Sequence, residues 1–148
     1  MTLILDAGPL VAIADRRDPF QADVEQLLAA EDGALIIPAP VSAEIDHLLG
    51  SRVGRQARRA FIGDLAAGRF QVECLEPPEY AAMAELAGRY ADLDVGLADL
   101  SIVVLASRFG TTRIATFDER HFRALRPLDG GAFTLLPRAT TRQVECSA

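Results

Sequence analysis

The chain has 148 residues, 50% of them hydrophobic and 24% charged, which is typical of one globular domain that folds without disulfides. All fifteen of its Lys or Arg residues are arginine, which excludes a P-loop lysine, a Schiff-base lysine and the lysine of phospho-acceptor receiver domains. The net charge of −6 argues against general attraction to nucleic acid, unless divalent cations held by clustered acids reverse the field locally.

The first part of the chain alternates short apolar runs with runs of helical period. A buried strand is predicted at residues 2–5, and Pro9 suits the first turn of a helix that extends to residue 14. A second helix is predicted over residues 18–33, and a second strand over residues 34–37. The order strand, helix, strand is the beginning of a parallel arrangement.

Ser42 is a candidate N-cap for the third helix, and Gly50 and Ser51 are predicted to interrupt the chain after it. The remaining elements are predicted as helix, strand, helix, helix, strand, short helical turn and strand, at residues 52–67, 70–75, 77–90, 97–109, 113–117, 118–121 and 132–136. The helix at 97–109 is the most apolar and is expected to be central. This alternation predicts an α/β fold in three layers, α/β/α, around a parallel sheet of four to five strands.

Four carboxylates occur where the apolar runs end or begin. Asp6 and Asp118 each directly follow a predicted strand, whereas Glu44 and Asp99 each lie near the beginning of an apolar helix. Because the carboxyl ends of parallel strands meet at one edge of a sheet, these acids are expected to gather there.

Carboxylates brought together without counter-charge repel one another, and divalent cations remove that penalty. Oxygen ligands without His or Cys favour Mg²⁺ or Mn²⁺ over zinc. Such ions can activate a water molecule and stabilise the charge of a phosphodiester. The acids therefore predict metal-dependent phosphodiester hydrolysis.

Each acid also has a simpler structural interpretation. Asp6, which precedes Gly8 and Pro9, would suit a turn, and Glu44 would suit the first turn of a helix because of the helix dipole. Asp99 is harder to explain in this way, since its neighbours are otherwise fit only for burial, and charged residues are seldom buried unless paired or bound to metal.

Other polar residues are first interpreted as structural. Asp94 is expected to be a solvated loop acid, with an outer metal or substrate role as the alternative. Thr116 is expected to make a ladder or turn hydrogen bond, with contact to a metal-bound water as the alternative. His121 is expected to be a surface or half-buried side chain. The arginines at 52, 55, 58 and 59 are expected to form a solvated helix face, with phosphate contact or partner binding as the second interpretation.

The two cysteines, Cys74 and Cys146, form no CxxC or Cys/His cluster, so both are expected to be reduced and no zinc site is predicted. The apolar N-terminus is predicted to be a strand and helix instead of a signal peptide. No apolar run approaches the roughly 20 residues of a membrane span, so a cytoplasmic protein without membrane attachment is expected.

Four stretches together resemble the PIN-domain ribonucleases, specifically the VapC-type toxins of bacterial toxin-antitoxin pairs: LILDAGPLVAI, VSAEIDHLL, DVGLADLSIVVLA and TRIATFDERHFRAL. The resemblance covers a PIN domain at residues 1–137, followed by a polar C-terminal tail at 138–148. It implies a PIN-like fold and an acidic quartet of Asp6, Glu44, Asp99 and Asp118 that binds Mg²⁺ or Mn²⁺ and catalyses RNA cleavage. Ala7 departs from the pattern, because many relatives carry Ser or Thr there.

The resemblance also implies partners. It implies a VapB-type antitoxin that blocks the site, and commonly a homodimer. Such toxins usually receive the antitoxin helix around residues 44–61, where this chain offers the apolar side chains of Ile45, Leu48, Leu49 and Phe61. Two other functions stay open: a different metal-dependent phosphohydrolase, such as a phosphatase, and a non-catalytic PIN-like binding module.

Overall fold

Five short strands form a parallel sheet at the centre of residues 1–138, the part of the chain that this computed structural model describes. In chain order they are β1 (Leu3–Leu5), β2 (Leu35–Pro38), β3 (Gln71–Glu73), β4 (Arg113–Ala115) and β5 (Thr134–Leu136). Their order across the sheet is β3-β2-β1-β4-β5, and each neighbouring pair is parallel. The chain first adds strands on one side of β1 and then on the other, so the strand order reverses between β1 and β4.

The middle of the sheet is entirely apolar. Ile4 of β1 is in register with Ile36 of β2 and with Ile114 of β4, and all three side chains are fully buried. A continuous apolar run is typical of a parallel strand covered on both faces. Because open α/β sheets form a crevice at the carboxyl ends of their strands where the order reverses, the residues after β1 and β4 are well placed for a ligand site.

Seven helices flank the sheet within the described residues. They are α1 (Ala7–Ala14), α2 (Gln21–Ala30), α3 (Ala39–Leu48), α4 (Arg55–Ala66), α5 (Pro77–Arg89), α6 (Leu97–Arg108) and α7 (Glu119–Ala124). Helix α6 packs against α3, α5, β1 and β2, and every residue from 100 to 106 is buried. The predicted α/β fold and the central position of this helix are therefore confirmed.

Two predicted boundaries around α3 are wrong. The helix begins at Ala39, directly after β2, so Ser42 lies inside it and donates its hydroxyl hydrogen to the Ala39 carbonyl at 2.6 Å. Proline is tolerated in the first turn because the N–H it lacks would have no partner there, which lets Pro40 begin the helix instead of preventing it. The predicted interruption at Gly50 is also absent, since a π-helical turn at Leu49–Val53 continues the chain as far as Gly54.

The side chain of Arg58 lies close to Gly50. A Cβ atom on Gly50 would lie 2.6 Å from the Arg58 guanidinium carbon. The Arg58 Nε atom in turn lies 3.1 Å from Oδ1 of Asp46. Arg58 thus forms an ion pair between α4 and α3, and it is not the fully solvated side chain that the sequence suggested.

Three expectations concern the ends of the chain and its surface. Cys74 is exposed and unpaired within the described residues, whereas Cys146 and residues 139–148 of the expected tail lie outside them. The boundary of the PIN domain at residue 137 stays a prediction. Within residues 1–138, every helix is too short or too polar to cross a membrane.

Candidate active site

Asp6 is fixed at the carboxyl edge of the sheet by both strands beside it. Its backbone N–H donates to the Ala115 carbonyl of β4 at 2.9 Å. Its Oδ1 atom accepts a hydrogen bond from the N–H of Ala7 at 2.8 Å and so caps α1. An aspartate after a strand and before a helix commonly serves as such a cap. Oδ1 of Asp6 therefore caps α1, and Oδ2 is directed away from this helix end towards Thr116.

Asp118 repeats this arrangement at the next strand. It precedes α7, and its Oδ1 atom accepts a hydrogen bond from the N–H of His121 at 3.1 Å. The two acids are linked by Thr116, which is only 3% exposed. The Thr116 hydroxyl donates to Oδ2 of Asp6 at 2.7 Å and accepts from the N–H of Asp118 at 2.9 Å. The predicted turn hydrogen bond of Thr116 is confirmed, and its bond to Asp6 is additional.

Asp99 is the third residue of α6 and faces the same edge. Its Oδ2 atom lies 3.5 Å from the N–H of Gly96, which is long for a hydrogen bond. Burial is the main reason that its pKa is raised, and the charges of Asp6 and Asp118 raise it further. The acid that was hardest to explain as structural therefore lies with the two strand-end acids.

Glu44 lies on α3 and is the most exposed member of the quartet. Partial burial raises its pKa, and the charges of Asp6 and Asp99 act in the same direction. Arg52 opposes this effect. Glu44 is thus near enough to Asp6 and Asp99 for their charges to act on it. That all four acids form one site stays a prediction, since the ligand atoms found within 4.8 Å of one another belong to Asp99, Asp118 and His121.

The cluster is short of positive charge. Burial raises the pKa of Asp6 above its ordinary value and the charge of Asp118 adds to the effect, although the hydrogen bonds from Thr116 and Ala7 oppose it. Three of the four acids therefore have a raised pKa, and each is raised in part by another member of the quartet. Such an arrangement favours either protonation or the binding of a cation.

His121 is the residue that the sequence interpretation undervalued. It is half-buried, as expected, but its Nδ1 atom lies 2.8 Å from Oδ2 of Asp118 and 3.4 Å from Oδ2 of Asp99. This nitrogen is buried and has no hydrogen bond of acceptable geometry. One ligand atom from each of Asp99, Asp118 and His121 lies within 4.8 Å of the other two. The spacing of three residues from an N-cap acid to His121 was the available signal.

Other predicted candidates lie apart from this cluster. Asp94 is exposed in the loop before α6, as expected for a solvated acid. The proposed apolar docking surface is only partly available, because Ile45, Leu49 and Phe61 are buried in the core. They belong to it because α3 and α4 turn their apolar faces inwards. An apolar cavity of about 550 Å³ opens beside them between α1, α2 and α4, and its lining includes Leu10, Ile13, Leu28, Phe61 and Phe70.

A protein-family model and a curated protein both match most of this chain. The family model described as PIN domain matches residues 3–126. Ribonuclease VapC26 of Mycobacterium tuberculosis is 38% identical over 135 residues, which are 91% of this chain and 100% of that protein.

Solved structures share the fold at lower sequence identity. VapC20 of Mycobacterium tuberculosis, described as a toxin that cleaves the sarcin-ricin loop, superposes with a TM-score of 0.73 at 18% identity, covering 80% of this chain and 91% of that one. VapBC2 of Rickettsia felis, solved with a DNA fragment from its promoter, gives a TM-score of 0.66 at 18% identity, covering 91% and 97%.

Proposed function

Because this chain belongs to the PIN domain family, we propose that it is an endoribonuclease that hydrolyses RNA phosphodiester bonds with Mg²⁺ or Mn²⁺, as the toxin of a toxin-antitoxin pair. The observation that carries the proposal is the grouping of Asp99, Asp118 and His121, with Asp6 joined to Asp118 through Thr116, at the edge where the strand order reverses. The similarity to ribonuclease VapC26 over nearly the whole chain supports RNA as the substrate.

The side chains of the cluster fit a divalent cation. The carboxylates supply hard oxygen ligands, and their raised pKa values reflect a charge that a cation would neutralise. The buried Nδ1 atom of His121, which lacks a hydrogen bond, is a further donor beside Asp99 and Asp118. When bound, the cation would supply a water molecule of lowered pKa and a positive charge beside the phosphate.

The residues of the chain divide the remaining tasks. A bound cation would be held by Asp6, Asp99, Asp118 and Glu44, and His121 would either join them or fix the orientation of Asp99 and Asp118. Thr116 positions Asp6 through its 2.7 Å hydrogen bond. Glu44, as the most exposed acid with a raised pKa, is suited to accept a proton from the water that attacks the phosphate.

A VapB-type antitoxin is the proposed protein partner. VapBC2 of Rickettsia felis, which shares the fold of this chain, was solved with a DNA fragment from its promoter. The apolar cavity between α1, α2 and α4 is suited to an amphipathic helix, since such helices bind with their apolar face in hydrophobic grooves. A homodimer and a cytoplasmic location are also proposed, from the resemblance to VapC-type toxins.

Cleavage of a mixed pool of tRNA and mRNA tests the proposed reaction. Cutting is expected with Mg²⁺ or Mn²⁺, and it should be lost with EDTA and in an Asp99→Asn variant that keeps its fold. Cutting that survives the substitution would overturn the assignment of the site. Hydrolysis of small phosphate esters in preference to RNA would favour another phosphohydrolase, and calorimetry without metal binding would favour a non-catalytic binding module.

A further inference from the structure

An open groove of about 890 Å³ lies between the end of α1 and the beginning of α4, and three arginines line it. Arg16 and Arg17 follow α1 closely, whereas Arg55 is the first residue of α4. These side chains come from segments almost forty positions apart in the sequence, and the fold brings them to one surface. The groove is separate from the acidic cluster, whose four members are absent from its lining.

The positive charge of this groove is not neutralised by neighbouring side chains. Arg16, Arg17 and Arg55 are exposed, and within residues 1–138 none lies within 4.0 Å of a carboxylate oxygen. Other exposed arginines, such as Arg89 with Glu85, form ion pairs. Asp15 also lines the groove, but one of its oxygens accepts a hydrogen bond from the N–H of Arg17 at 3.0 Å and closes a local turn.

The beginning of α4 adds a second source of positive potential. The helix has twelve residues and follows Gly54, whose φ of 140° suits glycine alone, and no side chain caps it. The first N–H groups of such a helix lack partners within the helix and favour anions, phosphate included. Because Gly54, Arg55 and Gln56 line the groove, this helix end lies beside the three guanidinium groups.

The groove is connected to the acidic cluster through two elements. Helix α1 begins at Ala7, directly after Asp6, and ends at Ala14, a length of about 12 Å for its eight residues. On the other side, the π-helical turn that precedes Gly54 carries Arg52, whose charge acts on Glu44. Five of the eight residues of α1 are buried, so an exposed link between the acidic cluster and the groove is the π-helical turn that carries Ser51 and Arg52.

We propose that this groove binds the phosphodiester backbone of RNA on one side of the cleavage site, an inference that rests on the proposed ribonuclease function. Guanidinium groups form paired hydrogen bonds with phosphate oxygens. The free N–H groups at the beginning of an uncapped helix donate hydrogen bonds to the same anion. Phosphate contacts of this kind position a nucleic acid without reading its sequence. The net charge of −6 makes the molecule as a whole repel RNA, and the positive groove thus supplies a local attraction for it.

The test measures RNA binding separately from cleavage. All variants are made in the Asp99→Asn background, and anisotropy of a labelled single-stranded RNA of mixed sequence is followed with increasing salt. Replacing Arg16, Arg17 and Arg55 by Gln should weaken binding at low salt by at least about tenfold, and should reduce the salt slope by roughly 2, at about 0.7 for each phosphate contact.

Two further variants make the result specific. The control replaces Arg89, Arg126 and Arg138 by Gln, which changes the net charge equally at exposed positions elsewhere, and should leave the slope unchanged. Replacing the three groove arginines by Lys keeps their charge and should retain most of the slope. Circular dichroism checks that each variant is folded.

The outcomes separate this inference from the proposed function. If the groove variant binds RNA with an unchanged slope while the natural chain cleaves RNA, the groove is not a phosphate site although the ribonuclease assignment holds. If the natural chain neither binds nor cleaves RNA, both are wrong. The groove variant could still bind RNA with unchanged affinity but no longer bind polyglutamate. In that case the groove binds an acidic protein segment, and the inference is overturned in favour of a protein partner.

Discussion

The hydroxyl of Thr116 donates a hydrogen bond to Oδ2 of Asp6 at 2.7 Å, across the boundary between β1 and β4. The hydroxyl oxygen of Thr116 in turn accepts a hydrogen bond from the N–H of Asp118 at 2.9 Å. One buried side chain therefore determines the separation of the two acids that follow these strands. Residues that support ligands in this manner often matter to metal affinity as much as the ligands nearby.

Removal of this hydroxyl should weaken both the site and the fold. A Thr116→Val variant leaves the buried Asp6 carboxylate without its side-chain donor, which lowers the free energy of unfolding by about 1–3 kcal/mol. Mn²⁺ affinity and RNA cleavage should fall by about 10–100-fold. Denaturant unfolding and calorimetry measure these effects. Thr116→Ser, which keeps the hydroxyl, is the control, and a loss in the serine variant without a loss in the valine variant would show that the methyl group matters instead.

The Asp99→Asn variant should be more stable than the natural chain in the absence of metal. Burial and the charges of Asp6 and Asp118 oppose ionisation of Asp99, so a neutral amide removes an unfavourable charge at neutral pH. The melting temperature in EDTA should rise by a few degrees, at roughly 2–4 °C per kcal/mol for a chain of this size. RNA cleavage should be lost in the same variant. A lower melting temperature would mean that the charge of Asp99 stabilises the fold.

The stability of the metal-free protein should fall as the pH rises. The pKa values of Asp6, Glu44 and Asp99 are all raised from ordinary values of 3.8, 4.5 and 3.8, so the folded state holds protons that the unfolded state has released. Their contribution is complete below those ordinary values and is lost as the pH rises through the raised ones. Urea unfolding in EDTA should show this trend, and Mg²⁺ should reduce it. A trend that is identical with and without Mg²⁺ would argue against a cation at the quartet.

Replacement of His121 should affect the cation before it affects the fold. A His121→Ala variant removes the Nδ1 atom that lies between Asp99 and Asp118, and Mn²⁺ affinity measured by calorimetry should fall by about 10–100-fold. His47→Ala is the matched control, because His47 is exposed on α3. Unchanged affinity in the His121 variant would return this residue to the structural role that the sequence suggested.

A charge placed in the apolar cavity should block the protein partner. Ala29 is exposed at the cavity between α1, α2 and α4, so Ala29→Glu should abolish recovery of a small antitoxin in a pull-down while RNA cleavage continues. Ala84→Glu, on the exposed face of α5, introduces the same charge elsewhere and should leave recovery intact. A natural chain that recovers no small protein would count against the proposed antitoxin.

The acids at the sheet edge could be predicted from the sequence because their position depends on residues that are neighbours in the chain. An apolar run followed directly by Asp6 or Asp118 predicts both the strand and the position of the acid, and parallel pairing does the rest. The beginning of α3 was misplaced because proline is found both where a helix is interrupted and in the first turn of a helix. Pro40 alone therefore did not show that it lies inside α3.

Contacts between distant segments were beyond such reasoning. His121 approaches Asp99 only because α6 and α7 meet at the sheet edge, and no local pattern encodes that meeting. Helical periodicity likewise indicated that Ile45 and Phe61 face an apolar environment, but not that this environment is the core of the same chain.

Asp6 and Asp118 each use Oδ1 to accept a hydrogen bond from the first turn of a helix. Oδ2 of Asp6 accepts from Thr116, and Oδ2 of Asp118 lies 2.8 Å from Nδ1 of His121. Asparagine keeps the capping oxygen and is nearly as good a cap, whereas alanine forfeits about 0.5–2 kcal/mol. Asparagine variants should therefore remove catalysis while keeping the helix caps. Alanine variants at these two positions would lose the caps as well, so a loss of activity could not be separated from a loss of stability.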